Sequence, residues 1–166
     1  MITKGKYTFF FKDKINQWTR SLFTVNGVVF NCVEQAVMAE KAVLFGDMET
    51  CALILNTDNP AEQQRLGRLV KNFDQAIWDQ NKEAIYYFEN CQKFIQNPEL
   101  KEVLFSTGDT ELVECNPDDF IWSCGLSIDD PNARNPSDWK GQNLLGRVLQ
   151  RVRDDLREKE RQDGSK

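Results

Sequence analysis

Glu34 and Lys41 are opposite charges seven residues apart. On a helix, at about 100° per residue, they fall on nearly one face, two turns or roughly 10 Å apart. Val33, Val37, Met38 and Leu44 flank them. An amine beside apolar surface loses hydration, so its pKa falls and the neutral, nucleophilic form is favoured. A carboxyl group nearby can carry protons. Each residue also has a structural reading: Glu34 completes a capping box with Asn31, and Lys41 is a solvated charge.

A second set of candidates lies in 117–146, PDDFIWSCGLSIDDPNARNPSDWKGQNLLG, which has no helical period. A loop that long inside a compact domain is usually functional or disordered. Its Trp, Phe and Ile content argues against disorder. Asp119, Asp129 and Asp130 are candidate carboxylates, although each sits where an Asp commonly shapes a turn. Trp122 and Trp139 bracket the loop and could stack on a base or pack a core. Trp78 lies on a helical stripe, where core packing is the default; Trp18 stands near the N-terminus. The stretch Gly141 to Gly146 precedes a helix. Either its N–H groups offer an anion site, able to hold a diphosphate, or Asn143 is a plain N-cap.

Composition narrows the chemistry. The 166 residues suffice for one domain, and 1–166 is read as a single domain with a charged, frayed tail after about 158. Histidine is absent, which excludes Ser-His-Asp and Cys-His nucleophiles and removes the commonest metal ligand. Carboxylates, Lys, Tyr and Cys remain for acid–base work. The net charge of −5 counts against broad electrostatic tracking of nucleic acid. No apolar run approaches the roughly 18–20 residues of a membrane span. The five cysteines, without a Cys-x-x-Cys, fit free thiols in a reducing cytoplasm.

The elements that position these residues follow from turn and cap signals. Residues 7–11 and 22–30 read as strands, the latter a hairpin about Asn26-Gly27. Helices are expected over 31–45, from Asp47 through Leu55, over 59–70, over Gln75–Gln96 behind Asp74, and from Asn97-Pro98 to Thr107-Gly108. The long helix carries a stripe of Trp78, Ile85, Phe88, Cys91 and Ile95. Short strands are expected at 112–114 and 121–123. The last helix, 143–161, buries Leu144, Leu145, Val148, Leu149, Val152 and Leu156. The fold class is α+β, mostly helical, with a small β-sheet and a long functional loop before the C-terminal helix.

In order along the chain come Gln17-Trp18; Phe30 with Glu34-Gln35; Lys41-Ala42 with Phe45-Gly46-Asp47; Leu66-Gly67-Arg68; Phe73-Asp74 with Trp78; Lys93-Phe94 with Gln96-Asn97; and Thr107-Gly108 with Leu112-Val113-Glu114. Asp119 with Trp122, Gly125-Leu126, and Trp139 through Gly146 running into Val152-Arg153 complete the set. This ordered set, spanning about 9–156, resembles the NADAR, or YbiA-like, family. The resemblance implies an N-glycosidase that removes ADP-ribose from modified guanine, or acts on early riboflavin-pathway intermediates. It implies that Lys41 attacks the anomeric carbon of an opened ribose as a Schiff base, with Glu34 as acid–base partner. Trp78 and Trp122 line the pocket, and Asp130 or Asp119 orients the ribose. Gln17, Trp18, Arg68, Asn143 and Gly146 are further substrate-binding positions. Two places depart from the family pattern. Asn16 stands where many members have Ser, and Trp122-Ser123-Cys124-Gly125 replaces Trp-Gly-x-Gly.

The expectation is a cytoplasmic N-glycosidase without metal, cofactor or membrane attachment, acting on an ADP-ribosylated guanine nucleotide or nucleic acid. A riboflavin-intermediate hydrolase and a non-catalytic ADP-ribose or NAD reader are the alternatives. A reader has no need of a Glu34–Lys41 pair.

Overall fold

A computed structural model describes residues 1–165. Its contacts separate two compact units, Gln17–Pro98 and Met1–Asn16 with the chain from Glu99 onward.

Strands β1 (Ile2–Lys4) and β2 (Tyr7–Phe10) belong to the other unit; the Gln17–Pro98 unit opens with an antiparallel hairpin of β3 (Phe23–Val25) and β4 (Val28–Phe30). Asn26 and Gly27 both have positive φ (49° and 82°), as the two-residue turn between twisted strands requires. Helix α1 (Val33–Leu44) follows. The capping box expected at its start is displaced by one residue. Cys32 occupies the N-cap position without a side-chain cap, and Gln35 Oε1, not Glu34, accepts the Asn31 N–H at 2.8 Å. Helices α2 (Met48–Leu55), α3 (Pro60–Gly67) and α4 (Gln75–Gln96) pack around α1. Their caps are those read from the sequence. Asp47 accepts the Thr50 N–H at 3.0 Å, Asn59 that of Ala61 at 2.9 Å, and Asp74 that of Ile77 at 3.0 Å. The N–H groups of Lys71 and Thr50 on Asp47 hold its carboxyl down at about 2. Helix α3 ends at Gly67 rather than near residue 70.

The apolar stripe expected on α4 is rotated. Phe88 and Ile95 are exposed, while Trp78, Tyr86, Glu89, Asn90, Lys93 and Phe94 are buried. Three polar side chains thus occupy the inward face. Asn90 bonds to Gln17 and to the Tyr86 carbonyl, so part of this face is held by hydrogen bonds rather than by apolar packing.

The other unit contains a three-stranded sheet in the order β1 (Ile2–Lys4), β2 (Tyr7–Phe10), β5 (Glu111–Glu114). Strand β1 is antiparallel to β2, and β2 is parallel to β5. The parallel pair is reached by a long crossover, as parallel strands require. Helix α5 (Pro98–Phe105) precedes β5, and α6 (Leu144–Gly164) packs against it. All six residues of the expected α6 stripe are buried. The helix continues to Gly164, past the expected fray point, with an Arg161–Glu158 ion pair in its last turns. Residues 121–123 form no strand; their backbone turns toward the start of α6. The loop itself contains two 3-10 turns, Pro131–Arg134 and Pro136–Asp138. Its core is Phe9, Val113, Cys115, Cys124, Leu126 and Ala133, covered by Tyr7, Ile128 and Trp139.

Candidate active site

Helix α1 is buried on nearly every side over its first two turns, and this carries Glu34 inward: the residue is only 5% exposed. Its N–H, which has no partner within the helix, donates to the Gln17 carbonyl at 3.1 Å. Lys41 emerges half-buried on the same face two turns later. Its Nζ lies 4.6 Å from the ring centroid of Phe73 and 5.3 Å from that of Trp78. Phe45 packs edge-on against Phe73, with centroids 5.3 Å apart, and so fixes one wall of this aromatic enclosure. Trp78, only 8% exposed, is the other wall.

Burial lowers the Lys41 pKa from 10.5, and the nearby Arg68 cation lowers it further; Glu34 opposes both. Arg68 is brought close by its neighbour. A Cβ on Gly67 would stand 2.0 Å from Met38 Sδ, so glycine lets α3 lie against α1 with the Met38 side chain in its present place. An amine with a lowered pKa, aromatic walls and a buried carboxyl on its own helix face is equipped for nucleophilic addition to an electrophilic carbon. Glu34, Lys41, Arg68 and Trp78 are therefore brought together.

Gln17 has a different place. Its side-chain amide pairs reciprocally with that of Asn90, at 3.1 and 3.0 Å, and Asn90 also donates to the Tyr86 carbonyl at 2.8 Å. Gln17 anchors the chain that receives Glu34, while Trp18 beside it is 40% exposed. Sequence spacing does not single out Phe73, which walls Lys41, or Asn90, which holds Gln17. Lys93 is fully buried, and burial lowers its pKa to about 7.

In the other unit, Asp119 Oδ1 accepts the N–H groups of Ile121 (2.9 Å) and Trp122 (2.8 Å). This turn orients the carboxylate and fixes the backbone of Trp122. Asp130 accepts the Asn132 N–H at 2.9 Å and caps the first 3-10 turn, and Asp129 is exposed. Trp139 is a packing residue: its Nε1 donates to the Ala133 carbonyl at 2.7 Å and its ring meets Tyr7 edge-on.

Asn143 departs from both readings of the helix start. It adopts a left-handed conformation (φ 51°) and its side chain caps nothing. Its Oδ1 accepts the Glu114 N–H at 3.0 Å and its Nδ2 donates to the Leu112 carbonyl at 2.9 Å, clamping β5. The N–H groups of Gln142, Asn143, Leu144 and Leu145 donate to the carbonyls of Phe120, Ser123, Ile121 and Trp122. The chain's own backbone thus fills the donors expected to hold a diphosphate. Gly146 belongs to the same joint, since a Cβ there would lie 2.1 Å from the Leu112 carbonyl.

The sequence profile of the NADAR domain matches residues 6–157. The chain belongs to the NADAR family. Among similar NADAR relatives is an N-glycosidase of Acanthamoeba polyphaga mimivirus, 37% identical over 163 residues, covering 90% of this chain and 96% of that protein. A riboflavin biosynthesis protein of Vibrio vulnificus is 31% identical over 135 residues, 81% of this chain but 33% of its own length. The solution structure of Escherichia coli YbiA shares the NADAR chain's fold, with a TM-score of 0.77 at 23% identity over 96% of this chain and 89% of that one. Among the described residues no three His, Cys, Asp or Glu side chains are grouped to hold a metal ion, and no helix is long and apolar enough to cross a membrane.

Proposed function

We propose that the protein is an N-glycosidase that cleaves the bond between a base and ribose, with ADP-ribosylated guanine as substrate. The single observation that carries this reading is the Lys41 amine, lowered in pKa and enclosed by Phe73 and Trp78 on the helix face that buries Glu34. The N-glycosidase name of the mimiviral relative supports the reaction class.

The chemistry follows from these groups. The C1–O4 bond opens as O4 takes a proton from Glu34 and the lone pair of the base nitrogen completes a C1=N iminium, which makes C1 electrophilic. The Lys41 lone pair adds to C1, and the Glu34 carboxylate takes back a proton from the new Nζ ammonium. The C1–N bond to the base then breaks as the base nitrogen takes a proton from Glu34, leaving an imine between C1 and Nζ. Water adds to C1 with Glu34 as base, Nζ departs, and the aldehyde recloses as ribose. A neutral Lys41 is required for the addition, and its burial, with the Arg68 cation nearby, favours that form. The family resemblance gives Asp119 or Asp130 the orienting of the ribose and Trp122 a place in the lining of the pocket.

The riboflavin-related name of the Vibrio protein favours a second reading of the substrate, an early riboflavin-pathway intermediate whose ribosyl C–N bond breaks by the same steps. Incubation with ADP-ribosylated guanosine, with separation of products, tests the first reading. Release of ADP-ribose is expected. Cleavage of the riboflavin intermediate alone transfers the reaction to the second substrate, and tight ADP-ribose binding without any cleavage makes the protein a reader.

A further inference from the structure

Cys115 and Cys124 sit at the two ends of the segment that carries Asp119 and Trp122. Both are fully buried, and their sulfurs are 3.9 Å apart, already in contact. A disulfide needs about 2.05 Å, so the sulfurs have about 1.9 Å to close. The neck between them is zipped. Cys124 N–H donates to the Glu114 carbonyl at 2.9 Å, and Ser123 Oγ accepts the Asn116 N–H at 2.7 Å while lying 2.9 Å from the carbonyls of Glu114 and Asn116. Ser123 is also where this chain departs from the Trp-Gly-x-Gly pattern. The tip is turned outward: Pro117, Asp118, Phe120 and Ile121 are exposed.

We infer that Cys115 and Cys124 are a modification site, a dithiol that a peroxide converts to a disulfide, closing the Asp119–Trp122 segment into a covalent ring and reducing turnover. The effect on turnover rests on the family role given to Asp119 and Trp122; the disulfide does not.

The step balances. The Cys124 sulfur attacks one peroxide oxygen, the O–O bond breaks, and the departing hydroxide takes the thiol proton as water. Cys124 is then a sulfenic acid. The Cys115 sulfur attacks the Cys124 sulfur, the S–O bond breaks, and hydroxide leaves with the Cys115 proton as a second water. Two thiols have lost two electrons to the peroxide. Contact with Cys115 lowers the Cys124 pKa and raises that of Cys115, which favours the Cys124 thiolate as first attacker. The remaining buried cysteines are less disposed to react: burial pushes Cys32 up to about 11 and raises Cys51. Closing the sulfurs by this distance pulls on the zipped neck, and through it on the Asp119 carboxylate that the Ile121 and Trp122 N–H groups orient.

The test is made on the full chain in a Cys91→Ser background, which removes the half-buried thiol. After hydrogen peroxide, free thiols are alkylated and the protein is digested and analysed by mass spectrometry. A peptide linking Cys115 to Cys124, two hydrogens lighter, is expected, with loss of most turnover and its recovery in dithiothreitol. Cys124→Ala should keep turnover under the same peroxide. Alkylated Cys115 and Cys124 after treatment, or sulfinic acids without a link, overturn the inference. A link with unchanged turnover overturns its coupling to the loop. The link is read by mass, so this result stands apart from whether ADP-ribosylated guanine is the substrate.

Discussion

Replacing Glu89 by Gln should stabilise the protein in alkali and change little in acid. Glu89 has no exposed surface, and neither of its carboxyl oxygens has a hydrogen-bond partner among the described residues. Burial first, and then the negative charge of Glu40, raise its pKa from 4.5 to about 7. Between those values the folded protein keeps a proton that the unfolded chain has released. Stability therefore falls as pH rises through this window and levels off above about 7, where the folded state bears the full cost of the buried charge. At about 1.36 kcal/mol per pKa unit, that cost is on the order of 3 kcal/mol. In a chain of this size about 1 kcal/mol moves Tm by roughly 2–4 °C, so Glu89→Gln should raise Tm by roughly 6–12 °C near pH 9. The amide keeps the shape and removes the charge. Near pH 5, where the carboxyl is protonated when folded, the two proteins should melt within about 2 °C of each other. Thermal melts followed by circular dichroism across this range supply the data. An equal Tm difference at both ends, or no gain near pH 9 in a natively folded variant, would refute the assignment of a buried, unpartnered acid.

Arg68→Gln removes a cation that lowers the Lys41 pKa, so the limb of kcat/KM that rises with pH should move to higher pH; an unmoved limb would detach Arg68 from the amine. Glu34→Gln should cost about 10²–10⁴ in turnover with little change in Tm, because Gln35 makes the bond of the capping box; unimpaired turnover would show that Glu34 moves no proton. Gly146→Ala should destabilise by roughly 1–3 kcal/mol, read as a lower midpoint in urea, because its Cβ meets the Leu112 carbonyl and not a yielding side chain.

Where local chemistry decides, the sequence was an adequate guide. Asp47, Asn59 and Asp74 cap their helices because a side-chain oxygen near free N–H groups has one favourable use. Asn26-Gly27 turns the hairpin because both residues tolerate positive φ. The α6 stripe was legible because all six of its residues are apolar, although the helix also buries Arg153. The face of α4 was not, because Glu89, Asn90 and Lys93 point inward. A hydrophobic-period argument assigns such residues to solvent, and Asn90 is placed by Gln17, distant in sequence.

The candidate site divides in the same way. Glu34 and Lys41 share a face by helical geometry alone, so their spacing revealed them. The aromatic walls did not follow from spacing, since Phe73 belongs to the turn before α4 and reaches Lys41 only through tertiary packing. Asn143 was misread because a capping residue and a strand clamp are the same residue type. Only the positions of the Leu112 carbonyl and the Glu114 N–H distinguish them.

The central claim is a covalent intermediate on Lys41, and borohydride trapping reads it directly. Borohydride added during turnover of ADP-ribosylated guanosine should reduce the imine to a stable amine and leave a ribosyl mass adduct. The account places that adduct on the peptide containing Lys41 and requires it to be missing from Lys41→Ala, which should fold normally and not turn over. A Lys41→Ala protein that still releases ADP-ribose, or an adduct on another residue, would contradict it.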